Sequence, residues 1–341
     1  MAYIIGIYSK TATIERMKRQ SSKKAPHKAS KKAATKDKTK DRQPFQVTRQ
    51  AIQAAVVFGV LILGSGIFLW WNVLYTDHQN TFEGVLNETL RTHSVTRVVQ
   101  QEAGLQSLEQ VSRLQFGAQA VVYGETVVRQ GGEGTSAEVV TEEIGTPQRD
   151  YVRYASIETQ ERDADGEVLD FSDAVGVWGV SDVQEGAVEG GESFSEAVLG
   201  VIPFGKVSST DRRELVDLAL STNAYNVDYQ GVDEYTENGR LIYEYGVTLQ
   251  PEPYVGYLKQ VAEAVGLTQL RDVDPASFRN VQPISFVLKV DVLSRQINEI
   301  IFDVQQDRKE TVGGYGILSR VDIPTDPIPA FELQQRIQAV Q

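Results

Sequence analysis

Apolar residues along this chain follow three patterns. The first is continuous: residues 54–71, AAVVFGVLILGSGIFLWW, carry no charge, and the run extends through NVLY to Tyr75. About 22 residues at ~1.5 Å rise each cross the ~30 Å core of a bilayer, so the run predicts one transmembrane helix over 51–75. The second pattern is helical. Phe82, Val85, Leu86 and Leu90 recur at three and four and predict an amphipathic helix over about 80–93. Leu215, Leu218 and Ala219 do the same for a helix over 210–221, with Thr210 as N-cap and Asp211 and Glu214 in its first turn. Pro251 and Pro253 open a helix striped by Tyr254, Tyr257, Leu258, Val261 and Val265 and ended by Gly266, and a closing helix is expected around 330–339.

The third pattern is alternation. SVTRVVQQ, SLEQVSRLQF, AQAVVYGETVVRQ, SAEVVTEEIG, DYVRYASIETQ and EVLDFSDAVGVWGV read as successive strands, with turn signals such as Gly131-Gly132 and Asp165-Gly166 between them. Too little chain separates them for parallel crossovers, so they form an antiparallel meander. YNVDYQGVDEYT and RLIYEYGVTL make a further hairpin across Asn238-Gly239. ISFVLKVDV and QINEIIFDV pair across 293–295, and a third strand is expected in YGILSRVDI. Phe286, Leu288, Val290 and Val292 should face the core, with Val287, Lys289 and Asp291 on the wet side. The Gly- and acid-rich stretch 183–196 is a candidate mobile loop that leads into the apolar AVLGVIPFG. The fold class is mainly β (α+β), a large curved antiparallel sheet with a few packed helices. One curved sheet and two packed halves both satisfy the order, and a single domain over 76–341 is preferred.

Charge then orients the chain. Residues 1–50 hold 14 Lys and Arg against three acids, a net of +11, which leaves −23 on the remaining 291 residues of a chain whose total is −12. Basic residues stay cytoplasmic, so the expected arrangement is a cytoplasmic tail, a span with Trp70, Trp71 and Tyr75 at the outer interface, and an extracytoplasmic domain at the plasma membrane. A cleaved signal peptide fits less well, since its apolar region is usually ~7–15 residues and near the start. Residues 18–42 lack aromatics and apolar periodicity and read as disordered, suited to anionic lipid and not to specific nucleic acid. Met17 opens onto this basic stretch, so translation from Met17 is an alternative to Met1. Ala55, Gly59 and Gly66 put small residues along one side of the span, a candidate face for a homodimer.

Candidate chemistry is sparse. The chain has no cysteine and three histidines, His27, His78 and His93, so disulfides, thiolate sites, histidine metal sites and a Ser-His-Asp triad have little to build on. There is no P-loop or dinucleotide fingerprint, and Asp163-Ala164-Asp165-Gly166-Glu167 lacks the distal Glu of a calcium loop. Glu142 beside Glu143 and Asp233 beside Glu234 are the pairs expected by chance among 43 acids, so no glycosidase-type pair is inferred. No catalytic residue, cofactor or metal is assigned, and the chain is expected not to be an enzyme.

The VLKVDVLSRQINEIIFDV hairpin and the preceding YEYGVTLQPEPYVGYLKQV place late sheet strands around a helix. That order resembles the LolA-like superfamily of envelope lipoprotein and lipid carriers over most of residues 80–341. The resemblance implies a sheet wrapped over helices around an apolar cavity; it covers a pattern of elements and carries over no binding residue. Those carriers are soluble or lipid-anchored through cysteine, arrangements this chain lacks. The expected function is a membrane-anchored, noncatalytic extracytoplasmic binding domain for a lipid-like or apolar ligand, with Leu199, Ile202 and Phe204 at the cavity mouth. The alternative is an envelope structural or interaction protein that assembles through its outer domain or its membrane helix.

Overall fold

The structure, a computed structural model, describes residues 59–66, 76–131, 136–162, 165–181, 191–302 and 307–340. Residues 59–66, in one unit of the chain, are α-helical; Val60 to Leu63 are exposed, and Ser65 Oγ donates to the Leu61 carbonyl at 2.7 Å. Among the described residues no helix is long and apolar enough to cross a membrane. The basic tail and the rest of the expected span, with Ala55, Trp70, Trp71 and Tyr75, lie outside the described residues.

Residues 76–340 form the other unit, built on an open sheet of thirteen strands. Strands β1 (Ser94–Ala103), β2 (Gln106–Phe116), β3 (Ala120–Gln130), β4 (Ala137–Gly145) and β5 (Asp150–Thr159) are an antiparallel meander, extended by the short β6 (Gly179–Val180). A second antiparallel group holds β7 (Tyr225–Val227), β8 (Asp233–Glu237), β9 (Arg240–Leu249), β10 (Ile284–Asp291), β11 (Gln296–Phe302) and β12 (Asp307–Gly313). The groups join where β1 pairs with β12, Arg97 opposite Val312 and Val99 opposite Glu310. The two halves are therefore one sheet. A last strand, β13 (Ile328–Pro329), pairs in parallel with β6.

The helices are α1 (His78–Thr89), α2 (Glu192–Val198), α3 (Ser209–Ser221), α4 (Pro251–Ala264) and α5 (Ala330–Gln338). Phe82, Val85 and Leu86 of α1, Leu215 and Ala219 of α3, and Tyr257 and Val261 of α4 share a core with Val95, Leu114, Val122, Tyr245 and Leu288 of the sheet. This helix-covered side is the inner face. Neighbouring strand residues point oppositely. Thus Val122 joins the inner core, while Val121 joins Ile144 and Tyr151 in a smaller outer cluster with Trp178, Val321 and Ile323.

Several sequence expectations are corrected. The first helix ends at Thr89, so His93 lies beyond it, and Asp77 caps it by accepting from Asn80 N–H at 3.0 Å. Ser208, not Thr210, caps α3 by accepting from Asp211 N–H at 3.3 Å. Within 167–180 only Gly179–Val180 pairs as a strand. Asp170 accepts from Ser172 N–H, Gly176 sits at φ +79°, and local bonds of this kind compete with a ladder. YGILSRVDI is no strand either: Gly314 and Gly316 at φ +62° and +76° end the pairing, and the polar DRKETVG before them is the strand instead. Asp291 is buried because a bulge follows Lys289 and its carboxylate accepts from the N–H groups of Leu293 and Ser294. The Asn238-Gly239 hairpin is as expected, with φ +51° and +77°.

Candidate functional site

Helices cover only part of the inner face. Arg97 of β1, Ser112 of β2, Gly124 of β3 and Glu143 of β4 lie opposite one another in a row across four strands, just past the apolar row that carries Val95, Leu114 and Val122. Beyond that row the sheet parts from the helices and a cleft of about 670 Å³ opens. Its second wall is α2, the 199–201 segment, the start of α4, and residues 281–285. This volume lies within the ~300–1,000 Å³ typical of small-ligand sites.

The apolar lining comes from both walls, Val99 and Phe302 of the sheet and Leu199, Val201, Val255 and Ile284 opposite them. The polar lining centres on a buried ion pair. Arg97 Nε donates to Glu310 Oε1 at 2.9 Å, Arg97 Nη2 donates to the same oxygen, and Nη1 donates to the Ala197 carbonyl at 3.1 Å. Glu310 is 0% exposed, and its Oε2 has no hydrogen-bond partner. Arg308, two residues earlier on β12, stacks 5.0 Å above the Phe302 ring centroid. A Cβ at residue 200 would lie 3.1 Å from Arg97 Nη2, so a side chain there presses on the guanidinium.

A second polar group fixes α2. Asp150 Oδ2 accepts from the N–H groups of Glu192 and Ser193, and Ser193 Oγ donates to Glu143. Burial pushes the carboxyls of Glu143 and Asp150 above their ordinary range. Glu142 and Glu143, adjacent in sequence, therefore point to opposite faces: Glu143 lines the cleft, while Glu142 pairs with Arg153 outside. Tyr254 also lines the cleft, but its hydroxyl donates to the Gly200 carbonyl and burial pushes its pKa well up, so it is a positioned neutral donor.

Of the residues expected at the mouth, Leu199 does line the cleft. Ile202 and Phe204 do not: they are 1% and 0% exposed and belong to the core, because Phe204 N–H bonds the Val198 carbonyl and turns this stretch inward. Neither His78 nor His93 lines it. Sequence reasoning missed Arg97, Arg308 and Glu310 altogether. A strand whose inward residues are Arg, Glu and Val shows no apolar alternation, and the only available signal was the same-face spacing of Arg308 and Glu310 within a pairing-competent polar run. Among the described residues no group of His, Cys, Asp and Glu side chains is placed to hold a metal ion.

No family model and no curated protein matches this chain. Among solved structures it is similar to the crystal structure of LprF from Mycobacterium bovis, with a TM-score of 0.36 and 15% identity, over 73% of this chain and 96% of that one.

Proposed function

We propose that residues 76–341 form a noncatalytic binding domain that holds a lipid-like or apolar ligand in the cleft between the inner face of the sheet and helices α2 and α4. A single helix over 51–75 would tether it outside the plasma membrane, with the basic tail in the cytoplasm. The supporting observation is the cleft itself: about 670 Å³ of space lined by apolar residues of both the sheet and the helices, with the Arg97–Glu310 pair and Arg308 in its wall. Each methylene moved from water onto that apolar lining contributes ~0.8 kcal/mol, so even a short chain gives useful affinity.

Native mass spectrometry with lipid extraction, on the full chain purified from a membrane-containing host, tests this. A stoichiometric amphiphile should co-purify and be lost in Leu199→Asp and Val201→Asp, which change partly buried wall residues and leave the core intact. A ligand-free chain that also takes up no added amphiphile would sink the proposal. A second reading, an envelope interaction protein, is favoured by Ile317 and Leu318, which are 67% and 59% exposed on the segment after β12.

A further inference from the structure

The polar end of the cleft specifies more than an apolar ligand, on the premise that the cleft is a binding site. Two groups of opposite hydrogen-bonding character stand in its wall without partners. Glu310 Oε2 is a buried acceptor, left over because two Arg97 nitrogens converge on Oε1. Arg308 Nε is a buried donor, and its guanidinium, over the Phe302 ring, has no carboxylate in ion-pair contact among the described residues. The two residues lie two apart on β12 and so share a face, with a separation of about 6–7 Å at ~3.3 Å per residue. Glu310 is occupied by Arg97, so the two do not neutralise each other. An unpaired buried donor beside an unpaired buried acceptor describes the complement of a particular head group.

We propose that Arg308 and Glu310 read the head of a single-chain amphiphile that carries an acid group next to a hydroxyl. The acid oxygens accept from Arg308, the hydroxyl donates to Glu310 Oε2, and the chain runs along Val99, Val201, Val255 and Ile284. A hydrocarbon or simple alcohol leaves the guanidinium without an anion. A plain fatty acid serves Arg308 and leaves Glu310 unserved, and a quaternary ammonium head would face a like charge. Carboxylic and phosphoric acids share the required chemistry.

The test uses the full chain held in an amphipathic polymer, with the neutral fluorophore phenylnaphthylamine displaced by α-hydroxylaurate, laurate, monolauroyl glycerol phosphate and dodecanol. The two hydroxylated acids should bind roughly ten- to a hundredfold more tightly than dodecanol, the scale of one hydrogen bond to a charged group. Their order between themselves separates carboxylic from phosphoric heads. Arg308→Gln, at a partly exposed position, should abolish the acid preference, so that laurate and dodecanol compete equally well. Because Glu310→Gln removes the anion that Arg97 needs and can unfold the domain, the hydroxyl contact is read in the unaltered chain as α-hydroxylaurate against laurate. Equal binding of dodecanol and the acids would overturn this inference while the cleft stands as an apolar site. Failure of the fluorophore and all four compounds to bind would overturn the cleft as a binding site.

Discussion

Two arginine–glutamate pairs, one on each face of the same sheet, use the same groups to opposite ends. On the outer face Glu142 is saturated: Arg153 donates to its Oε2, Tyr123 donates to its Oε1 at 3.1 Å, and Arg153 stacks 4.7 Å above the Trp178 ring. On the inner face Arg97 spends two donors on one Glu310 oxygen and leaves the other empty. The outer pair is closed and partly wet, and it braces β4 against β5. The inner pair is dry, lies in the wall of a cleft and leaves one carboxylate oxygen without a partner. Buried polar groups are normally satisfied, so the unpaired oxygen is what sets the inner pair apart from the outer one.

The sharpest way to break this contrast is to remove one arginine from each face. Arg97→Met strands a buried carboxylate and should cost about 3–5 kcal/mol in urea unfolding, with most of that recovered when Glu310→Leu is added. Full stability in the single variant would remove the contrast. Gly200→Ala presses a methyl group onto Arg97 and should cost about 1–3 kcal/mol, while the same change at Gly246, which has open space, should cost less. On the outer face Arg153→Met should cost only about 1 kcal/mol, since its side chain is 34% exposed and loses a screened ion pair and one ring contact.

The smallest effect is one of pH, and its sign differs between faces. Burial raises the Glu143 carboxyl above its ordinary 4.5, so the folded chain holds that proton more tightly. The resulting stability is fully present below 4.5 and is lost as pH rises through the raised folded value. On the outer face partial burial works to raise Glu299, yet its bonds to Lys309 and Lys289 leave it lowered overall, so its contribution is present above 4.5 and is lost on acidification. Glu143→Gln should flatten the stability curve above pH 4.5, and Glu299→Gln should flatten it on the acid side. Identical curves for the two variants would contradict the assignment of faces.

Much of the scaffold was legible where apolar residues carry the period. The strands from 94 to 160, the Asn238-Gly239 hairpin and the Tyr254-to-Val265 stripe are read from spacing alone, because burial of one face imposes it. Legibility failed where polar residues take over the structural work. β12 hides its inward Arg308 and Glu310 in a charged run, and 167–178 buries Phe171 and Ala174 without any ladder. The helix α2 was hidden for a related reason: its cap comes from Asp150, 42 residues away, and no local signal announces it. The residues that distinguish the cleft were therefore the hardest to see, since each depends on a partner distant in sequence.

The seam between β1 and β12 gives the site an order of assembly. The β1–β5 meander is stitched from hairpins and β9–β12 are at most some tens of residues apart, whereas the seam joins segments some two hundred residues apart and needs a long loop to close. Arg97 and Glu310 sit on opposite sides of that seam. A nascent or truncated chain that ends before residue 307 lacks β12, and with it Arg308, Glu310 and the seam, so the cleft wall is completed only by the last long strand of the sheet.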